Sequence, residues 1–193
     1  MNVVIIKYNA GNISSVLNAL ARIGVEGIVS DDARVISGAD KVILPGVGAA
    51  GMAMDRIREK ELDKTIIALR QPVLGICLGM QLMCAYSEEN DTTCMGIFDQ
   101  QVKHFTGGGK VPQVGWNTVT GLKSSLFNGI AEDAYMYFVH GYYAGVSPQT
   151  ISTTSYMQEY SSALQKNNFY GVQFHPEKSG TVGQQLLSNF IGL

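Results

Sequence analysis

The sequence predicts an α/β fold with a mostly parallel sheet and helices on both faces, and three observations lead to this prediction. Short apolar runs typical of buried strands alternate with helical patterns through the first half of the chain. Glycine is over-represented, at 22 of 193 residues, as in proteins whose backbone turns sharply or approaches a ligand closely. With 46% hydrophobic residues the chain can bury one sizeable core, so we expect one domain over residues 1–193.

The first half of the chain carries the alternation. Strands are predicted at residues 3–7, 25–30, 41–44 and 73–76, and helices at residues 13–23, 52–69 (in two pieces) and 78–86. The first helix follows Asn12, which can cap it, and stops at Gly24. The second half has short strand-like pieces in the Gly-rich residues 96–122, better strands at 134–139 and 169–174, and a closing helix at 181–191.

Composition and charge exclude several classes of protein. With 16% charged residues and a net charge of −2, the chain is neither disordered nor a bulk nucleic-acid binder. The uncharged stretches at residues 42–54 and 71–87 contain Pro and Gly and fall short of the roughly 20 apolar residues of a membrane helix. Three cysteines indicate no disulfide framework, no Cys/His spacing fits zinc, and no secretory signal is visible. We therefore expect a cytoplasmic protein that binds no metal.

The most informative segment is a glycine-flanked cysteine between a predicted strand and a predicted helix. Cys77 has Gly75 two residues before it and Gly79 two residues after it, which is the Gly-x-nucleophile-x-Gly elbow with cysteine as the nucleophile. The turn is sharp, so larger neighbours would collide, and the sulfur lies at a helix N-terminus where free N–H groups favour the thiolate. The alternative is a small buried apolar residue, which is how we interpret Cys84. Cys94 is assigned no role.

A thiol nucleophile needs a base, and the base needs a group that orients it. His175 follows a predicted strand and precedes Pro176 and Glu177, so an imidazole lies at a strand end with a carboxylate two residues away. Taken alone, this pair is better explained as a solvated turn, but together with the elbow it predicts a Cys–His–Glu triad. His104 looks like a surface strand residue, and His140 ends another strand.

A second loop is expected at the same edge of the sheet as the elbow. The strand that ends at Leu44 leads into Pro-Gly-Val-Gly at residues 45–48, and in an open α/β sheet this loop lies at the carboxyl edge. The backbone N–H groups of Val47 or Gly48, with that of Leu78, could bind a developing oxyanion. Taken alone, the segment is better explained as a plain turn.

These three segments, in this order, resemble the triad-type (class I) glutamine amidotransferases along essentially the whole chain. The specific parts are the elbow ending in Gln81 and the His-Pro-Glu run at residues 175–177. The resemblance implies a flavodoxin-like domain with a mixed sheet, and hydrolysis of L-glutamine to glutamate and ammonia through a thioester, with no cofactor. It assigns glutamine binding to Gly46, Gln81, Glu89, Gly141 and Tyr142.

Two of these assignments carry a qualification from the sequence itself. Glu89, twelve residues after the nucleophile, would hold the α-ammonium group of glutamine, and Glu88 is its rival in the same polar stretch. Gly141 stands where the family usually has Ser or Thr, so only its backbone is left to contact substrate.

Finer signals resemble one branch of that family, the glutaminase subunits of imidazole glycerol phosphate synthase. They are Tyr-Asn-Ala-Gly-Asn at residues 8–12 followed by Ser15 and Val16, the loop 45–48, and the runs 110–117 and 137–140. The resemblance implies a heterodimer with a (β/α)8-barrel cyclase, which receives the ammonia for a step of histidine biosynthesis. We expect partner contacts at Asn12, Trp116, Asn117 and Tyr137, although composition alone favours a core tryptophan.

Other functions stay open from the sequence alone. A cysteine hydrolase of similar fold would not require Gln81 or the His-Pro-Glu run, and a non-catalytic regulatory module would not require an intact triad. Gly-Gly-Gly-Lys at residues 107–110 is not a phosphate loop, because that pattern needs Gly at position 104 and Ser or Thr at position 111, where His and Val stand. We interpret it as a flexible hairpin.

Overall fold

A computed structural model describes residues 1–8 and 12–193. The α-helices are α1 (Ile13–Arg22), α2 (Ala33–Ser37), α3 (Ala50–Glu59), α4 (Leu62–Ala68), α5 (Leu78–Met83) and α6 (Gly180–Ile191). The strands are β1 (Val3–Ile6), β2 (Gly27–Ser30), β3 (Lys41–Leu44), β4 (Val73–Ile76), β5 (Tyr86–Ser87), β6 (Thr92–Thr93), β7 (Gln101–His104), β8 (Gln113–Val119), β9 (Ala134–His140), β10 (Tyr142–Ala144), β11 (Thr150–Tyr156), β12 (Gln158–Lys166) and β13 (Phe169–Val172).

The main sheet is mixed, with a parallel half and an antiparallel half. Its order is β2-β1-β3-β4-β13-β12-β10-β7-β5-β6, and β11 pairs with β12 outside this path. The five strands from β2 to β13 run parallel, whereas β12, β10 and β7 continue the sheet antiparallel. Strands β8 and β9 form a separate antiparallel ribbon. The predicted α/β class, with a mixed sheet covered on both faces, is confirmed.

The inner parallel strands are buried on both faces. Alternate residues of β1 enter different apolar clusters: Ile5 packs with α1 and α6, and Ile6 packs with the layer that contains α3, α4 and α5. Every residue of β1, β3, β4 and β13 is buried. Such strands appear as continuous hydrophobic runs, which is why the sequence revealed them.

Four details differ from the sequence prediction. The helix predicted at residues 78–86 ends at Met83, because the chain turns at Cys84 and enters β5. The β11–β12 hairpin and the short helix α2 were not predicted. The predicted hairpin at residues 107–110 is wrong, since the flanking strands β7 and β8 pair with β10 and β9 and not with each other. Across the part of the chain that the structure describes, no helix is long and apolar enough to cross a bilayer.

Candidate active site

The nucleophile elbow has the strained geometry that its glycines predict. Cys77 lies between β4 and α5 with φ 52° and ψ −109°, in the left-handed region that side chains rarely adopt. A Cβ at Gly79 would collide with the carbonyl oxygen of Leu44, and a Cβ at Gly75 would lie 2.8 Å from the backbone of Gly79. The helix can therefore start directly above the neighbouring strand only because these positions are glycine.

His175 and Glu177 form a buried pair beside this elbow. The Nδ1 atom of His175 lies 2.8 Å from Oε1 of Glu177, and both side chains are almost fully buried. The turn that carries them is held from two sides: His175 N–H donates to the carbonyl of Tyr137 at 2.8 Å, and the Arg22 guanidinium donates to the carbonyl of Glu177 at 3.2 Å. The three triad positions predicted from the sequence are thus brought together.

The groups around His175 favour its protonated form. Burial lowers the pKa of His175, but its hydrogen bonds to Cys77 and Glu177 and the negative charges of both outweigh burial and raise that pKa to about 10. An imidazolium at this position is the form that can give a proton to a leaving amine.

A cavity of about 210 Å³ opens above the sulfur. Nine of the residues predicted from the sequence line it: Val47, Gly48, Cys77, Leu78, Gln81, Glu89, Gly141, Tyr142 and His175. Glu177 and Gly46 do not line the cavity: Glu177 contacts His175, and Gly46 packs against the elbow. Val139, His140 and Lys178 also line the cavity and were not predicted as site residues. Within residues 1–8 and 12–193 no group of three or more His, Cys, Asp or Glu side chains is placed to hold a metal ion.

The loop at residues 45–48 packs directly on the elbow. A Cβ at Gly46 would lie 2.6 Å from the backbone nitrogen of Gly79 and 2.7 Å from Cβ of Leu78. The hydroxyl of the buried Tyr8 donates to the carbonyl of Pro45 at 2.6 Å, which fixes the start of the loop. Gly48 has φ +105°, which glycine tolerates at no steric cost.

The structure distinguishes the two candidate acids for the α-ammonium group. Oε2 of Glu89 accepts from the backbone N–H of Ala50 at 2.8 Å, so the carboxylate is held at the N-terminus of α3 with its edge on the cavity. Glu88 instead accepts from the backbone N–H of His104 at 2.7 Å and is not part of the cavity lining.

Two buried polar residues beside the sulfur were missed by sequence reasoning. Gln173, fully buried directly after β13, donates through Nε2 to Sγ of Cys77 at 3.6 Å. His140 contacts the carbonyl of Tyr142 and the hydroxyl of Tyr160. Burial, together with the smaller effect of the charge on His175, outweighs the hydrogen bond to the Tyr142 carbonyl and lowers the pKa of His140 to about 4. His140 is therefore neutral at physiological pH. The sequence feature that could have indicated Gln173 as a site residue is its position two residues before His175.

Three of the four predicted partner residues, Trp116, Asn117 and Tyr137, lie on the β8–β9 ribbon, and the fourth, Asn12, precedes α1. Trp116 is 55% exposed and packs edge-to-face on its cross-strand neighbour Tyr137, with ring centroids 5.8 Å apart. Asn117 faces the other way, and its amide donates to the carbonyl of Ser155 at 3.0 Å. Asn12 caps α1 by accepting from the N–H of Ser15 at 3.3 Å. The Asn-Ala-Gly signature at residues 9–11 lies outside the described residues.

Comparison with known proteins gives consistent results along the whole chain. The family described as "Glutamine amidotransferase class-I" matches residues 4–192. The chain is 54% identical to the imidazole glycerol phosphate synthase subunit HisH of Bacteroides fragilis (strain YCH46), with 100% of both chains covered. It is 50% identical to the subunit of that name from Escherichia coli (strain K12), with 99% of both covered. A crystal structure of a putative GMP synthase subunit from Thermoplasma acidophilum matches with a TM-score of 0.77 at 20% identity, covering 100% of this chain and 93% of that one, which shows the shared fold.

Proposed function

This chain belongs to the class I glutamine amidotransferase family, and from that premise we propose that it hydrolyses L-glutamine with Cys77 as nucleophile, His175 as base and acid, and Glu177 as the group that orients the base. The observation that carries the proposal is one cavity in which a strained elbow cysteine faces a buried His–Glu pair 2.8 Å apart. The chain is the glutaminase subunit of an imidazole glycerol phosphate synthase, as identities of 50–54% along its whole length support.

The reaction runs in two halves. Cys77 gives its proton to His175, and the thiolate attacks the side-chain amide carbon of glutamine. The tetrahedral oxyanion is stabilised by the N–H of Leu78 and that of Val47 or Gly48. His175 then protonates the departing nitrogen, ammonia leaves, and a thioester remains. Water attacks the thioester while His175 takes its proton, glutamate leaves, and the thiol is restored.

The substrate is held by groups on both sides of the elbow. Glu89 binds the α-ammonium group, since it is the acid that borders the cavity. Gln81 donates both amide hydrogens inside the protein, to the carbonyl of Tyr142 and to Oε1 of Gln173. Its own Oε1 is therefore the atom left to accept from the amide N–H of glutamine, a group that glutamate lacks. Gly46, Gly141 and Tyr142 contribute backbone contacts.

The ammonia is used by a partner. The exposed face of the β8–β9 ribbon, which carries Trp116 and Tyr137, would bind a cyclase with a (β/α)8 barrel in a heterodimer. The ammonia then passes to that cyclase without release, for imidazole glycerol phosphate synthesis in histidine biosynthesis. The free thiols of Cys77, Cys84 and Cys94 agree with a reducing compartment such as the cytoplasm.

The deciding experiment is a glutamate-release assay on the chain with and without the cyclase and the cyclase's own ligand. We expect slow hydrolysis by the chain alone, because the peptide at Val47 or Gly48 can turn its N–H away from the oxyanion. In the complex the rate should rise a hundredfold or more, since one oxyanion donor contributes about that much. A diazoketone analogue of glutamine should label Cys77. Absence of labelling would favour a non-catalytic module, and hydrolysis of esters without glutamine would favour another cysteine hydrolase.

A further inference from the structure

A single backbone carbonyl sets the orientation of the polar side chains beneath the cavity. The carbonyl oxygen of Tyr142 lies 2.7 Å from Nδ1 of His140 and 3.0 Å from Nε2 of Gln81. A carbonyl can only accept hydrogen bonds, so both neighbours must donate to it. His140 therefore carries its proton on Nδ1, and the amide group of Gln81 must point its nitrogen, not its oxygen, at this carbonyl.

The fixed amide of Gln81 in turn orients a second glutamine. The remaining hydrogen on Nε2 of Gln81 is donated to Oε1 of Gln173 at 2.9 Å. The nitrogen of Gln173 is then turned toward Cys77, where it lies 3.6 Å from Sγ. Both glutamines are buried, at 4% and 0% exposure, so neither amide can reverse without leaving donors and acceptors unpaired. The carbonyl of Tyr142 thus determines, through Gln81 and Gln173, that an N–H group faces the sulfur of Cys77.

The sulfur also contacts a backbone carbonyl. The Sγ of Cys77 lies 3.7 Å from the carbonyl of Val139, which can accept only from the thiol. When the proton leaves for His175, that contact loses its hydrogen, whereas the N–H of Gln173 still points at the negative sulfur. The charged groups that border the same cavity are Glu89, Lys178 and His175.

We propose that Gln173 is a catalytic residue that donates a hydrogen bond to the thiolate of Cys77, held in that orientation by Gln81 and the carbonyl of Tyr142. The proposal rests on the proposed function, in which Cys77 is the nucleophile. Gln173 stabilises the attacking anion and fixes the direction of its lone pairs. Its hydrogen bond is stronger to the thiolate than to the thiol, so its loss should reduce the amount of reactive sulfur, lower kcat and leave KM for glutamine little changed.

The test measures the reactivity of the Cys77 sulfur directly. The free chain is alkylated with iodoacetamide over a series of pH values, and modification of the Cys77 peptide is followed by mass spectrometry. Gln173→Leu removes the donor, and Gln173→Glu keeps the shape and the bond from Gln81 but places a carboxylate beside the sulfur. Gln165→Leu is the matched control, since Gln165 donates to the hydroxyl of Tyr170 at 3.2 Å on the neighbouring strand.

We expect alkylation at neutral pH to slow about tenfold in Gln173→Leu, as for one lost hydrogen bond to a charged group, and more in Gln173→Glu. The pH of half-maximal rate should rise in both, and the control should match the unmodified chain. Circular dichroism establishes that each variant is folded, and Gln173→Glu decides the question if Gln173→Leu does not fold. An unchanged alkylation profile in a folded variant would overturn the role of Gln173, while leaving the proposed function intact. Failure of the proposed function would show itself separately, as glutamine hydrolysis that survives Cys77→Ala.

Discussion

The cavity around Cys77 and the β8–β9 ribbon are built on opposite principles. In the cavity, buried polar side chains hold each other through short hydrogen bonds, as in the pair of His175 and Glu177. On the ribbon, large apolar side chains face outward, with Val114 58%, Trp116 55% and Tyr135 60% exposed. A polar pocket of this kind is typical of a site that binds a small substrate, whereas an exposed apolar face is typical of a surface that binds a protein.

The two regions share strand β9. Its outward side chains, such as Tyr137, form part of the exposed face of the ribbon. Its backbone reaches the site: the carbonyl of Tyr137 accepts from the N–H of His175, and the carbonyl of Val139 contacts Sγ of Cys77. In the complex we propose, a partner on the outer face would contact the same strand whose carbonyls contact the base and the nucleophile. This is the physical route by which a docking surface can act on a catalytic site.

The largest expected effect tests the cavity alone. Cys77→Ala should abolish glutamine hydrolysis, because no thioester can form, while the complex supplied with ammonia should still carry out synthesis. The measurement is glutamate release beside ammonia-dependent turnover of the same complex. Activity of Cys77→Ala on glutamine would contradict the mechanism.

Cys84→Ala is the control for that variant. Cys84 is fully buried, and burial raises the pKa of its thiol far above the usual range, so it cannot act as a nucleophile. Its substitution should lower the free energy of unfolding by about 1–2 kcal/mol and leave kcat unchanged.

The next effect tests how the cavity recognises substrate. Glu89→Gln should raise KM for glutamine about 30-fold, because the α-ammonium group loses a half-buried counter-charge at a cost of ~2 kcal/mol. The amide oxygen still accepts from the N–H of Ala50, so α3 should keep its start. Glu88→Gln is the matched control, with a KM within twofold of the unmodified chain. Equal effects from both variants would show that the cavity does not distinguish them.

The charge on His175 gives a third test. Its pKa is raised from 6.5 to about 10, so its contribution to stability is present below pH 6.5 and is lost as the pH rises through 10. Removing one of the two raising groups by Cys77→Ala should lower that pKa toward 6.5, and Cys84→Ala should not. NMR titration of the imidazole measures it. An unchanged value in Cys77→Ala would mean that the sulfur and the ring do not interact.

The parts of this molecule that the sequence revealed are those governed by local sterics and continuous burial. The elbow is recognisable because its glycines at positions 75 and 79 flank the nucleophile in the sequence, although the clash that requires Gly79 is with Leu44 of β3. Strand β4 shows its burial as an unbroken apolar run. The β11–β12 hairpin was hidden because hydroxyl residues interrupt its buried apolar positions: Ser152 and Ser162 are buried as a hydroxyl pair 2.7 Å apart. Serine usually indicates surface or turn, and only the paired strand reveals that it is satisfied.

The orientation of the amide groups could not be predicted for a different reason. The orientation of the Gln173 amide depends on Gln81 and on the carbonyl of Tyr142, and these three residues lie in separate segments of the chain. Likewise, the alternation around Trp116 predicts that neighbouring side chains face opposite sides of β8, but not which side is covered. Both answers exist only in the folded protein.

The smallest expected effect tests the ribbon. Trp116→Ala should leave the fold intact, because the indole is 55% exposed and leaves little cavity behind, and it should weaken glutamine-dependent synthesis by the complex several-fold. Ammonia-dependent synthesis should fall less, since only the coupling between the two proteins is damaged. Trp116 is the only tryptophan in the sequence, so its fluorescence reports on this face alone. Emission from the free chain should be red-shifted and quenched by iodide, and it should shift to the blue when the cyclase binds. A blue-shifted, protected emission in the free chain would place the indole in the core, and the ribbon would then lose its assignment as the partner surface.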